Sequence, residues 1–217
     1  MIPKKIHYFW LGGKEKPPLV AKCIASWSKF CPDWEIVEWN ESNVSIGRFQ
    51  FAVDAYRAKK WSFVTDPLRI LKVYEEGGVY FDTDVELIAP IDDLICQGGF
   101  FACERDCPRV VNPGLGFAAE KNDPILKAII GKYETLTFDP ACHVAQLIPS
   151  IVTGVLEDFP DARCLPADMF NPKRGCAGEI RLTSETRGIH HFNASWFNWK
   201  QKIAYIWWPR ARRWFRR

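Results

Sequence analysis

The sequence of 217 residues predicts one α/β domain with a mostly parallel central sheet flanked by helices. Three observations carry that prediction. β-favouring runs alternate with stretches of helical periodicity from Lys5 onward. The segment at 61–90, WSFVTDPLRILKVYEEGGVYFDTDVELIAP, holds the alternation in miniature and reads as strand, helix, glycine turn, strand. Apolar residues make up 47% of the chain, which is enough for a sizeable core and too many for global disorder.

Taken in order, KIHYFW at 5–10 reads as a first strand and Leu11-Gly12-Gly13 as the turn that leaves it. After Pro17-Pro18, the positions Leu19, Cys23, Ile24 and Trp27 share one helical face, predicting a helix through about Phe30. WEIVEW at 34–39 alternates like a second strand, and Asn40-Glu41-Ser42-Asn43 closes it; residues 51–60 are predicted helical. Ser62 to Val64 form a short apolar run read as a strand, leading to Asp66-Pro67, where aspartate suits a cap and proline a first helical turn. Leu68, Leu71, Val73 and Tyr74 then keep helical spacing until Gly77-Gly78. Val79-Tyr80-Phe81 is a strand, and Asp82-Thr83-Asp84 follows at once.

Further on, 90–94 reads as a helical turn, 99–103 as a strand, and NPGLGFAA at 112–119 as a glycine-bearing turn before an apolar run. Helices are predicted at 124–133 and 143–157, a loop at 164–178, and a compact motif, IHHFNASW, at 189–196. No repeat or linker divides the chain. Residues 1–199 therefore read as one domain and 200–217 as a basic, aromatic tail.

Composition excludes several classes. No run approaches the roughly 20 apolar residues of a membrane span, and no hydrophobic leader follows Met1-Ile2-Pro3-Lys4-Lys5, so a cytosolic protein is expected. Eight cysteines in such a chain read as reduced thiols; Cys96, Cys103 and Cys107 lack the paired spacing of a zinc site. The overall charge of +3 is uneven: from Lys200 onward there are seven basic residues and no acidic one, leaving a net −4 on the rest. An acidic body without a nucleic-acid fold signature argues against nucleic acid as partner.

The candidate chemistry centres on Asp82 and Asp84. A buried strand delivers both carboxylates to its exposed end, where open α/β sheets bind ligands. Two acids one residue apart can share a divalent cation, and oxygen-ligated Mn²⁺ or Mg²⁺ can hold a diphosphate. Asp66 and Arg69, three apart, share a helix face. Trp10 ends the first strand, and His7 on that strand reads as structural. His190 and His191 are neighbours on a strand, so at most one faces the site. VYFDTDVEL also fits a phosphatase of the haloacid dehalogenase type, with Asp82 as nucleophile. That motif ordinarily begins the first strand of its fold, whereas here about 80 residues precede it. A non-catalytic sugar- or membrane-binding protein is the third reading.

Four segments together carry a more specific resemblance: IPKKIHYFWLGG at 2–13, CIASW at 23–27 with PDWEIVEWNE at 32–41, TDPLRILKVYEEGGVYFDTDVELIAPIDDL at 65–94, and IHHFNASW at 189–196. In this order they resemble glycosyltransferase family 32, the DXD-containing capsular-polysaccharide-type sugar transferases. Similar signatures occur in the glucosyltransferase domains of large clostridial toxins. The resemblance implies a GT-A fold, a UDP- or GDP-sugar donor, a divalent metal (Mn²⁺ or Mg²⁺) and retention of anomeric configuration. It implies Asp84, with Asp82 and His190, as metal ligands, and Asp66, Arg69 and Asp82 as the catalytic group. Asp66 would bind sugar hydroxyls and Arg69 the leaving diphosphate, for which its fork of donors is suited. Trp10 would stack on the base, Tyr80 and Asn112 would line the donor pocket, and Ser195 and Trp196 would close over the diphosphate.

The expected activity is hexose transfer to a glycan or lipid-linked glycan acceptor in polysaccharide, capsule or lipopolysaccharide synthesis. The tail, IAYIWWPRARRWFRR, mixes tryptophans with arginines, a composition suited to an anionic membrane surface. A peripheral position on the inner face of the cell membrane is expected.

Overall fold

The computed structural model of the chain describes residues 1–140, 146–173 and 179–192. Strand β1 (Lys5–Phe9) leads to helix α1 (Pro18–Phe30), which opens with proline at its first position, and then to β2 (Glu35–Trp39). A single 3-10 turn (Ile46–Arg48) precedes α2 (Gln50–Arg57) and the longer α3 (Trp61–Glu76). Next come β3 (Gly78–Tyr80), β4 (Val85–Leu87) and the short α4 (Asp92–Cys96). The remainder is β5 (Phe100–Asp106), β6 (Arg109–Val111), β7 (Phe117–Ala119), α5 (Pro124–Thr135), α6 (Ile148–Val155), β8 (Cys164–Leu165) and β9 (Gly188–His190).

The main sheet runs β2-β1-β3-β7-β5-β6, with β8 also on β5. Strands β1, β2, β3, β5 and β8 point one way, and β6 and β7 run against them. From β1 the chain crosses to β2 on one side and returns to β3 on the other. The carboxyl ends of β1 and β3 therefore flank a crevice where strand order reverses. β4 and β9 pair antiparallel as a separate two-stranded ribbon beside it.

Strand alternation splits the core into two layers, which is why the strands read as nearly continuous apolar runs. Phe9, Tyr80, Phe101 and Phe117 face α2, α3, α5 and α6. Ile6, Tyr8, Val79, Phe100 and Ala102 face the other way, towards Trp27 of α1 and Leu94 of α4. His7 is fully buried: its Nδ1 accepts from Trp39 Nε1 at 3.0 Å and its Nε2 lies 2.8 Å from the Gly77 carbonyl. That arrangement requires a neutral ring donating from Nε2, and burial lowers its pKa accordingly. His7 is structural, as expected.

The run Ser62–Val64 is helical, not a strand: α3 begins at Trp61 and takes in Asp66 and Pro67. The physical reason is burial on several sides, since Phe63, Val64, Leu68, Ile70 and Val73 are all core residues. Unbroken apolarity does not separate a buried helix from a buried strand. Pro67 is tolerated in the second turn, where it removes the N–H that Phe63 would otherwise receive. Asp66 is consequently not a cap but an interior residue. The region expected to be a loop at 164–178 contains β8 and a 3-10 turn at Ala167–Met169. Helix 143–157 is shorter than expected, beginning at Ile148, with residues 141–145 outside the described part.

Candidate active site

Asp82 lies two residues past the end of β3, after the buried Phe81. Its backbone N–H donates to the Gly114 carbonyl at 3.0 Å, and its own carbonyl accepts from Val85 at 3.0 Å, forming the turn that carries Asp84. The ribbon beyond is anchored by α1: Trp27 Nε1 donates to the Val85 carbonyl at 2.8 Å, and Leu87 N–H to Ser26 Oγ at 2.9 Å. The acid pair thus hangs between two fixed strands.

Behind it stands Arg69, 4% exposed. Its Nη1 donates to Asp82 Oδ1 at 2.7 Å and its Nη2 to Thr65 Oγ1 at 2.8 Å, while Nη2 also lies 3.0 Å from Asp66 Oδ1 as an ion pair. The guanidinium also lies 4.8 Å from the centre of the Tyr80 ring. Helical spacing puts Thr65, Asp66 and Arg69 on one face. Burial works against the Arg69 charge, but Asp82, Tyr80 and Asp66 outweigh it and raise the pKa. Tyr80 Oη donates to the same Asp82 Oδ1 at 2.8 Å, and burial keeps that phenol protonated. Asp66 is 4% exposed, and burial pushes its carboxyl up to about 7 against the pull of Arg69. It faces Arg69, while Asp82, with 31% of its side chain exposed, is the more open acid.

β9 brings in His190 through its pairing with Val85. His190 Nε2 lies 3.0 Å from Asp84 Oδ1. Burial disfavours the charged ring, yet Asp84, Asp82 and Glu104 together raise its pKa. Its Nδ1 is buried with no hydrogen-bond partner among the described residues. His191 turns away and meets Glu86 Oε2 at 2.9 Å, so His190 is the histidine at the acids. Asp82, Asp84 and His190 each offer one ligand atom, all within 4.8 Å of one another. Two carboxylate oxygens and an imidazole nitrogen, with a buried ring nitrogen to spare, fit a divalent cation such as Mn²⁺.

Of the other expected residues, Trp10 is half-buried just past β1, with its Nε1 donating to the Lys14 carbonyl at 2.6 Å. That puts it at the β1 end of the crevice. Asn112 lies in the turn between β6 and β7: its Oδ1 accepts from Gly114 N–H at 2.9 Å and its Nδ2 donates to Glu104 Oε2 at 2.8 Å. Ser195, Trp196 and the tail at 200–217 lie outside the described residues.

Three nearby residues escaped sequence reading. Glu104 is the partner of Asn112. Lys173 Nζ donates to the His191 carbonyl at 3.0 Å, and the charge of Asp84 acts on it against the lowering effect of burial. A Cβ on Gly114 would stand 2.3 Å from Asp82 Oδ2, so only glycine allows this approach. None carries a local pattern; only the Gly-bearing turn was a signal. A cavity of about 370 Å³, lined by Lys22, Ser26, Lys29 and Glu86 among others, includes none of the acid cluster.

Residues 17–101 match the model of the family described as "Glycosyltransferase sugar-binding region containing DXD motif". Among solved structures, the PaToxG glycosyltransferase is 19% identical, with a TM-score of 0.58 over 73% of this chain and 70% of that one. A glycosyltransferase involved in the glycosylation of the major capsid of PBCV-1 is 14% identical, with a TM-score of 0.51 over 88% of this chain and 94% of that one. No curated protein matches the chain significantly. The two structures share its fold, GT-A-like, and the matched region contains the turn built here from Asp82 and Asp84. Residues 17–101 are thus similar to the DXD-containing sugar-binding region of glycosyltransferases, and the chain shares the fold of two such enzymes.

Proposed function

We propose that the protein transfers a hexose from a UDP- or GDP-sugar to a glycan or lipid-linked glycan acceptor, with retention, in a metal-dependent reaction. The observation that carries this reading is the convergence of Asp82, Asp84 and His190 within 4.8 Å at the end of β3. Mn²⁺ or Mg²⁺ held there would supply a Lewis acid for the donor's diphosphate. Asp82, the more exposed acid, is the group that reaches the donor. Arg69 and Tyr80 fix its carboxylate so that no reorganisation is needed when the donor binds. The Arg69 charge, one carboxylate away, favours negative charge building on the leaving diphosphate. Asp66 holds Arg69 and, in this reading, meets the sugar hydroxyls once the donor is seated. Trp10 stacks on the base, Asn112 lies beside the sugar, and Ser195 and Trp196 close the site.

A phosphatase of the haloacid dehalogenase type would need Asp82 as nucleophile at the first strand of its fold, whereas Asp82 here follows the third strand of a chain that shares the fold of two glycosyltransferases. We further propose that residues 200–217 bind an anionic membrane surface at the inner face of the cell membrane, bringing the enzyme to lipid-linked acceptors of polysaccharide, capsule or lipopolysaccharide assembly. This rests on composition. Among the described residues, no helix is long and apolar enough to cross a membrane.

The test is donor hydrolysis by the purified protein with Mn²⁺ against a panel of UDP- and GDP-sugars. Asp84→Ala should lower turnover by a factor of about 100 or more while the protein stays folded, because a strand-end carboxylate adds little to the core. Full activity in that variant, or in excess EDTA, would refute the metal assignment.

A further inference from the structure

We infer that Glu104 is a specificity-determining residue that accepts hydrogen bonds from hydroxyls of the transferred sugar, acting with Asn112; this rests on the nucleotide-sugar reading above. Four observations converge on it. First, β5 and β6 fall out of register at this point: Cys103 pairs with Val111 and Arg105 with Val110, leaving Glu104 as the extra residue. A bulge of this kind re-aims one side chain and is common beside active sites.

Second, the bulged backbone is pinned by Asn171, whose Nδ2 donates to the Glu104 carbonyl at 3.0 Å. Third, the carboxylate joins the site wall. Its Oε2 accepts from Asn112 Nδ2 at 2.8 Å, Asn112 accepts from Gly114, and Gly114 abuts Asp82. Fourth, Glu104 forms no ion pair among the described residues, although its charge reaches His190.

The chemistry of the ligand then sorts the site. A nucleotide sugar carries its negative charge on the diphosphate and is neutral at the hexose. Arg69 and Lys173 supply positive charge near Asp82 and Asp84. An uncompensated carboxylate would repel the diphosphate and can adjoin only the neutral end. A carboxylate has about four acceptor positions, and Asn112 uses one. Hydroxyl groups are the donors that match the rest.

Glu104→Gln separates this role from simple support of Asn112, because glutamine still offers Asn112 a carbonyl oxygen but turns the other atom from acceptor to donor. The full-length protein in Mn²⁺ would be titrated with UDP and GDP, and with UDP- and GDP-hexoses. In Glu104→Gln, binding of the nucleoside diphosphate should stay within about twofold of wild type. Binding of the hexose donor should weaken by about tenfold or more, the scale of a lost hydrogen bond to a charged group. Glu104→Ala should match it. Wild-type donor affinity in Glu104→Gln, with loss only in Glu104→Ala, would overturn the inference and leave Glu104 as a prop for Asn112. Equal loss of diphosphate and donor binding would also overturn it. Failure of the wild-type protein to bind any nucleotide or donor would instead remove the nucleotide-sugar reading, and this inference with it.

Discussion

At the scale of single residues, the site depends on one buried ion pair being unequal in its two members. Arg69 keeps its charge because Asp82 and Asp66 both face it, whereas Asp66 is held above the usual carboxylate range, at about 7, by burial. The folded state therefore prefers the protonated acid. The Asp66 contribution to stability is complete below its unfolded pKa of about 3.9 and is lost as pH rises through the folded value. Asparagine cannot titrate. Urea denaturation of the wild type and Asp66→Asn between about pH 4 and 8 should show the wild type losing stability relative to the variant as pH rises. A constant difference across that range would mean that Asp66 is ionised throughout.

At the scale of elements, three short backbone pieces hold the carboxylates more than any long helix does. The turn after β3, the β4–β9 ribbon and the turn between β6 and β7 meet around Asp82. Gly114 is the tightest point, since an added Cβ would overlap Asp82 Oδ2 at 2.3 Å. Gly114→Ala should therefore displace that carboxylate from the partners of its other oxygen, Arg69 and Tyr80. The expected result is a fall of about tenfold or more in metal-dependent donor turnover. Stability should fall by up to about 3 kcal/mol, because the buried Arg69 loses part of the compensation for its charge. Steady-state kinetics and thermal denaturation on one preparation test both halves. Unchanged turnover would show that Asp82 need not be held as it is here.

At the scale of the whole molecule, the described residues pack an apolar layer with helices on each face of the sheet, and the acid cluster lies at its strand ends. The charge distribution adds a second feature: an acidic body with seven basic residues after position 199. Each arginine near an anionic surface is worth about 1 kcal/mol before screening, and inserted aromatics add apolar burial. Deleting residues 203–217 should release the protein from anionic liposomes and leave hydrolysis of soluble donor largely unchanged. High salt should weaken binding without abolishing it, because the tryptophan contribution is unscreened. A full-length protein that ignores such liposomes at low salt would exclude the membrane proposal.

The sequence by itself determined the α/β alternation, the place of Asp82 and Asp84 at a strand end, and the helical spacing of Asp66 and Arg69. Each of these is a local property: a period of residues along one segment, or a turn fixed by Gly77-Gly78. The family resemblance was legible for the same reason, being carried by contiguous segments. Tertiary structure decided what local pattern leaves open. It made Ser62–Val64 the start of a helix, because apolarity on every side does not distinguish the two buried forms. It chose His190 over His191 by pairing β9 with β4, some 100 residues apart in the chain. It brought Glu104 to Asn112 through a bulge and Lys173 to the His191 carbonyl across a loop, contacts that no spacing in the sequence encodes. Side-chain direction in a sheet depends on register, and register is settled only when the strands pair.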